Sequence, residues 1–274
     1  MIRTASAATI ISIVFMGLLI LPASAEASCS RTGLQAAANQ YIAAQKAGNP
    51  AMLPLSGNAK YSENLKTVAI ENGIINTALP ITFHRDFLDT TQCRTFSEIV
   101  VTEGRDPYVM AVRLTVDSGV ITEIESIVAT EGDWKFSAEN YLKYSPEEDW
   151  HVLTPEERVD RQTLIDAANA WMDQFTYEDV KVPWGIPCAR LEGGEYTGDG
   201  PRATCKVGIP LETIEIVNRN FVIDEEMGTV NVFSRFGKTR ADSPFGETPG
   251  LPDSHTIRLI EGKLRYIHTI TIVQ

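Results

Sequence analysis

The sequence predicts an α+β fold built from two tandem copies of one plan. Three observations carry the prediction: a repeated strand–turn–strand segment, a repeated amphipathic helix ahead of it, and eight short runs with strand character. Met110 to Ala129 (MAVRLTVDSGVITEIESIVA) lies over His255 to Ile272 (HTIRLIEGKLRYIHTITI). With two residues removed at the turn, Arg113-Leu114 falls on Arg258-Leu259, Gly119 on Gly262, Ile121 on Leu264 and Glu125 on His268. Upstream, the run from Leu34 to Ile42 is similar to the run from Leu164 to Met172.

The first helix is expected over Gly33 to Ala47, because Leu34, Ala37, Ala38, Tyr41 and Ile42 share one face and Gly48 can stop it. Strands follow at Ile81–Leu88, Arg94–Thr102, Tyr108–Val116 and Val120–Thr130, and a short helix at Ala138–Tyr144 closes the copy. The second helix should begin at Thr154-Pro155-Glu156-Glu157, where a capping-box pair coincides with a proline suited to the first helical position. Its apolar face carries Leu164, Ala167, Ala168, Trp171, Met172 and Phe175. Strands are then expected at Ile214–Ile223, Thr229–Phe236, His255–Ile260 and Lys263–Val273. The units are 26–152 and 153–274, each a curved antiparallel sheet under its N-terminal helix, and the repetition suggests that the sheets pack as an internal pseudo-dimer.

Ahead of the first unit, Arg3 precedes an apolar stretch from Ile10 to Leu21 and the small-x-small run Ala23-Ser24-Ala25. Residues 1–25 therefore read as a signal peptide, the apolar core of about 12 residues being shorter than the roughly 20 that a span needs. The protein is expected to be secreted. In an oxidising compartment the four cysteines favour disulfides, and Cys29–Cys93 with Cys188–Cys205 would staple one half each. No CxxC spacing supports a thiolate metal site. A net charge of -12 repels phosphate backbones and anionic lipid, which excludes nucleic acid and, after leader cleavage, membrane as partners.

The helix pattern LxxAAxxYxxA from Leu34 to Ala44, followed by long antiparallel strands, resembles the cone-shaped nuclear-transport-factor-2-like superfamily, which includes SnoaL-like polyketide cyclases and scytalone dehydratase. Four segments resemble a secreted fungal family of unassigned function: DTTQCRTFSE (Asp89–Glu98), VPWGIPCARLEGGEYTG (Val182–Gly198), NRNFVIDEEMG (Asn218–Gly228) and PDSHTIRLIEGKLRYIHTIT (Pro252–Thr271). The resemblance implies two tandem cone-like domains with a pocket. It implies no particular reaction, since the cyclases' aspartate pair or Asp-His arrangement does not align here residue for residue.

Within the last hairpin, a two-residue turn at Glu261-Gly262 would set Leu259 opposite Leu264, Ile257 opposite Tyr266 and His255 opposite His268. Two imidazoles would then lie side by side on the buried face, with Asp253 pointing the same way. Three readings stay open: a general acid/base site, a metal site formed by Asp253, His255 and His268, or hydrogen-bonded core groups. The Val182–Gly198 segment, rich in Gly and Pro, reads as a shaped loop. In it Arg190 would clamp a carboxylate or enolate oxygen, unless it pairs with Glu192, and Trp184 and Tyr196 would supply flat walls; Tyr266 is a further candidate contact. In the first copy, His84, Asp86, Glu98 and Glu125 mark a weaker acidic site. Arg219 and Asp224, at odd separation on one strand, should face opposite sides. Gly237-Lys238-Thr239 imitates the end of a phosphate loop, but Val232 stands where its glycine is required.

The function expected is that of a secreted, cofactor-independent isomerase, cyclase or lyase acting on a small oxygenated metabolite in the C-terminal cone. His255 or His268 would transfer the proton and Asp253 would orient it. The alternative is a non-catalytic extracellular protein that binds a small ligand or acts, effector-like, through its surface.

Overall fold

A computed structural model describes residues 29–198, 200–209, 214–238 and 249–273. The expected signal peptide, 1–25, lies outside them. Helix α1 (Arg31–Ala47) starts where the Ser30 side chain accepts from the Gly33 N–H and ends at Gly48, whose φ of 59° suits a residue without Cβ. It lies on the first sheet, formed by β1 (Leu55–Glu63), β2 (Lys66–Thr67), β3 (Phe83–Asp89), β4 (Arg94–Val101), β5 (Tyr108–Asp117) and β6 (Val120–Ala129) in the order β2-β1-β6-β5-β4-β3. After α2 (Ala138–Tyr144), helix α3 (Arg161–Asp173) covers a second sheet. That sheet comprises β7 (Trp184–Glu192), β8 (Glu195–Thr197), β9 (Glu215–Asp224), β10 (Thr229–Lys238), β11 (Leu251–Ile260) and β12 (Lys263–Thr271), in the matching order β8-β7-β12-β11-β10-β9.

The architecture is α+β, two tandem cone-like halves. Leu34, Tyr41 and Ile42 of α1 pack on Val112, Leu114 and Ile124 of the first sheet, and Leu164, Trp171 and Met172 of α3 pack on Ile257, Leu259 and Ile267 of the second. A third apolar cluster takes Phe87, Phe96 and Ile127 from one sheet and Val222, Phe233 and Ile270 from the other. The layers therefore run helix, sheet, sheet, helix. Both expected disulfides form, Cys29–Cys93 across 64 residues and Cys188–Cys205 across 17. In the chain-entropy account, closing loops of these lengths stabilises by about 3–4 kcal/mol each.

The structure corrects four expectations. Each sheet is mixed: β1 runs parallel to β6 and β7 parallel to β12. Val182–Gly198 is mostly strand, the hairpin β7–β8, where a loop was expected. Helix α3 begins seven residues after Thr154, capped by Asp160. The Glu157 side chain does accept from the Thr154 N–H, but the Glu157 carbonyl accepts from Glu261, which turns the segment toward the last hairpin instead of into a helix. The fourth correction concerns that hairpin.

Glu261 and Gly262 form the expected two-residue turn, with Ile260 opposite Lys263 and Leu259 opposite Leu264. A bulge then intervenes: Arg258 pairs with Tyr266, Thr256 with His268, and His255 with Thr269. One extra residue on β12 reverses every side chain beyond it. The first hairpin has the same two-residue turn and the same bulge, with Val116 opposite Ile121 and Thr115 opposite Glu123. The two hairpins are thus equal in length. Arg113 corresponds to Thr256 and not to Arg258, while Glu125 does correspond to His268.

Candidate functional site

His255 and His268 are both buried, but on opposite faces of the second sheet, so Asp253, His255 and His268 do not converge on one metal. Among the described residues no cluster of His, Cys, Asp and Glu is arranged to hold a metal ion. His268 faces the first sheet. Its Nδ1 lies 3.1 Å from both Glu98 oxygens and its Nε2 2.6 Å from Glu148. Burial works against the imidazolium, yet the charges of Glu148 and Glu98 outweigh it and push His268 up to about 10. Glu98, fully buried, is nonetheless held below the usual carboxylate range by His268 and Arg85. A cation clamped between two carboxylates is a structural pin and a poor proton donor at neutral pH.

His255 faces α3, inside the C-terminal half, where the space between helix and sheet leaves a cavity of about 160 Å³. Trp171, Phe175 and Phe236 supply aromatic wall, Arg190, Glu192, His255, Thr269 and Thr271 supply polar wall, and Trp134 and Lys135 reach over from the segment between β6 and α2. Alternation on neighbouring strands produces this grouping: His255 is opposite Thr269, Asp253 is opposite Thr271, and Thr269 is beside Glu192.

The His255 Nε2 stands 2.5 Å from Asp253 Oδ2, and Asp253 Oδ1 accepts a 2.6 Å hydrogen bond from the Thr271 hydroxyl. On the other side of the ring, Nδ1 accepts from the Trp171 indole N–H at 3.3 Å, and Thr269 Oγ1 is 3.4 Å away. An indole N–H can only donate. Nδ1 is therefore the acceptor, which leaves the ring N–H on Nε2, the nitrogen beside Asp253. This is an imidazole with a carboxylate behind it and a basic nitrogen in front.

Arg190 is buried between its neighbours. It pairs with Glu192, donates to the Val207 carbonyl and lies 5.0 Å from the Trp171 ring centroid. Burial draws its guanidinium down to about 10, with Glu195 opposing. The pairing with Glu192 replaces the expected clamp on a ligand anion. Lys135 Nζ contacts Glu192 at 3.0 Å and Glu195 at 3.1 Å.

The other expected wall residues lie elsewhere. Trp184 stands edge-on to Trp171 at 5.8 Å, outside the cavity lining. Tyr196 stacks on Tyr144 at 4.5 Å, and Tyr266, beyond the bulge, stacks on Trp150 and accepts from the Asp149 N–H. His84 and Asp86 form a 3.3 Å pair tied to Ser97 and to Gln35 of α1, whereas Glu98 faces the other sheet and Glu125 pairs with Arg94, so the four make no joint site. Arg219 and Asp224 do face opposite ways, Arg219 toward Asn169 and Asp173 on α3 and Asp224 toward Arg31.

Residues 157–271 match the family DUF8021, a domain of unknown function. No curated protein matches the sequence. Two solved structures are similar. One, described as a SnoaL-like polyketide cyclase from Jannaschia sp. CCS1, is 13% identical with a TM-score of 0.30, over 44% of this chain and 90% of that one. The other, the Mtr2–Mex67 M domain complex of C. albicans, is 13% identical with a TM-score of 0.25, over 41% of this chain and 96% of that one.

The contrast between the halves says more about the cavity. By strand register His255 falls on Val112, Asp253 on Met110, Thr271 on Val128 and Arg190 on Tyr61. All four residues of the first half belong to or pack on its apolar core. At those four positions the first half closes without a His-Asp pair or a guanidinium. A larger depression of about 610 Å³, beside Lys46, Pro80 and Glu103, brings no such groups together.

Sequence reasoning missed Trp171, Phe175, Phe236, Thr269, Thr271, Trp134 and Lys135. Aromatic residues at helical spacing read as core, which Trp171 also is. The Thr269-x-Thr271 alternation directly after His268 was the available signal.

Proposed function

We propose that the C-terminal cone is a general acid/base site for a small ligand of about one ring, and that the protein is an isomerase, cyclase or lyase working without a redox step. The observation that carries this reading is the His255–Asp253 pair, buried at a cavity wall that the corresponding half fills with Val112 and Met110. His255 Nδ1 takes a proton from carbon alpha to a carbonyl, Asp253 stabilises the resulting imidazolium through Nε2–H, and the same proton is returned to a different atom of the ligand. The cavity volume suits the ligand size, since an engineered cavity of about 150 Å³ holds benzene. Two disulfides fit an oxidising compartment, which supports reading 1–25 as a cleaved leader, the protein as extracellular, and 26–152 and 153–274 as its two units.

Solvent-proton exchange tests the reading. Wild-type protein is incubated in D2O with a panel of small cyclic ketones and enols, and mass spectrometry counts the deuterium incorporated. The expected result is wash-in that falls about 100-fold or more in His255→Ala and Asp253→Asn and is unchanged in His84→Gln. Wash-in that survives both substitutions, or none across the panel, overturns it. The Trp171 indole, which already occupies Nδ1, favours a second reading in which the cavity carries a ligand unchanged. In that case ligands copurify with wild-type protein and no deuterium enters them.

A further inference from the structure

Resting on the reading of this cavity as the ligand site, we infer that its ligand is uncharged, a single ring bearing one polar oxygen, and that Glu192 is the residue that excludes carboxylates. Among the described residues Arg190 and Lys135 are the cations that line the cavity, and both are already matched. Glu192 uses one carboxylate oxygen for Arg190 and the other for Lys135, and Glu195 takes Lys135 as well. Asp253 stands behind His255, whose Nδ1 is already taken by the Trp171 N–H. Among the described residues of this network, the carboxylates Glu192, Glu195 and Asp253 outnumber the cations Arg190 and Lys135. An incoming anion would leave water for a site with no unmatched positive charge among the described residues, at a cost that buried Coulomb attraction does not offset.

A neutral oxygen meets different terms. Arg190 is 6% exposed, and its Nε–H is buried with no acceptor among the described residues. A carbonyl or hydroxyl oxygen that reaches this N–H as the surrounding side chains adjust takes the bond without displacing Glu192. The aromatic side chains Trp171, Phe175 and Phe236 suit a planar ring. Glu192 therefore acts as a positioning residue: it keeps Arg190 occupied, so that the guanidinium offers a single hydrogen bond in place of a counter-charge.

Benzamide and benzoate separate the two cases, having nearly the same shape and differing in charge. Binding of each to the full-length secreted protein is measured by ligand-observed NMR titration at pH 7, in wild type, Glu192→Gln and Glu192→Asp. Wild type is expected to bind benzamide at least tenfold more tightly than benzoate. Glu192→Gln, which frees Arg190 from its counter-charge, should shrink or reverse that ratio by tenfold or more, and Glu192→Asp should restore the wild-type preference. Equal or tighter binding of benzoate by wild type, an unchanged ratio in Glu192→Gln, or no binding of either probe overturns the inference. The deuterium experiment reads a separate quantity. Loss of proton exchange with the ratio intact defeats the catalytic reading alone, and the reverse outcome defeats only the charge filter.

Discussion

His255 and His268 are thirteen residues apart in sequence, and their surroundings give them opposite work. His268 loses its hydration to burial and recovers more than that from Glu148 and Glu98, which is why its proton is retained up to about 10. A folded-state pKa above the ordinary 6.5 contributes stability that is complete below 6.5 and is lost as pH rises through about 10. His268→Gln leaves the two carboxylates facing each other without a cation. We expect it to lower stability at pH 7 by about 3–5 kcal/mol, and the gap to wild type to narrow steadily between pH 7 and 10. Urea unfolding midpoints of both proteins across that range check this; a gap independent of pH would mean that His268 is neutral in the fold. On the acid side Glu98 has the opposite sign. Its depressed pKa contributes stability present above 4.5 that is lost as pH falls below it.

At the scale of elements, the β7–β8 turn decides how the cavity is closed. Gly193 has φ 61° and sits against the backbone of the 134–137 segment: a Cβ there would meet the Trp134 carbonyl oxygen and come within 2.8 Å of that of Lys135. Gly193→Ala should cost about 1–3 kcal/mol and lift Trp134 and Lys135 from the cavity mouth. The expected readouts are a lower melting temperature and a red shift in tryptophan emission. An unchanged spectrum would show that this approach does not hold the cover in place. The elements themselves were largely legible. Alternation and turn chemistry located eight of the twelve strands, and the apolar faces of Leu34–Ile42 and Leu164–Phe175 located both long helices. The strands missed, β1 and β7 with their short partners, contain Gly57 or Gly185 and Pro187, which read as breaks because nothing local announces that a parallel neighbour supplies the missing order. The bulge after Leu264 was illegible for a related reason. Leu264, Tyr266, His268 and Ile270 alternate well without it, and it is tertiary packing that goes with the shifted register, Ile267 against α3 on one face and His268 between Glu98 and Glu148 on the other. The one extra residue of the bulge, Arg265, separated the two imidazoles and left Asp253, His255, Arg190 and Glu192 as the group around the cavity.

At the scale of the whole molecule, two reciprocal clamps join the halves. Arg31, the first residue of α1, makes two 2.8 Å bonds to Asp224, the last residue of β9, and Asp224 also accepts from the Leu88 N–H. Arg161, the first residue of α3, bonds Asp89, the last residue of β3, at 2.9 and 2.7 Å, and Asp89 accepts from the Ile223 N–H. Each helix thus holds the end of a strand in the opposite sheet. Both carboxylates are fully buried, while the guanidinium groups keep some solvent, with side-chain exposures of 31% and 20%. Removing either arginine leaves a buried carboxylate supported only by backbone N–H groups. The 3–5 kcal/mol typical of broken buried pairs should therefore be reduced by exposure to about 2–3 kcal/mol for Arg31→Ala and for Arg161→Ala alike. The clamps also bear on cooperativity. Phe87 and Phe96 of one sheet pack with Val222, Phe233 and Ile270 of the other, so neither half can unfold without uncovering the apolar face of its neighbour. Each variant should accordingly lose stability in a single urea transition, seen at one midpoint both by far-UV circular dichroism and by tryptophan fluorescence, whose reporters are Trp134 and Trp150 in the first unit and Trp171 and Trp184 in the second. Separate midpoints would show that the halves are independent units that merely touch, and the cover that Trp134 and Lys135 place over the C-terminal cavity would then be free to lift without cost to either.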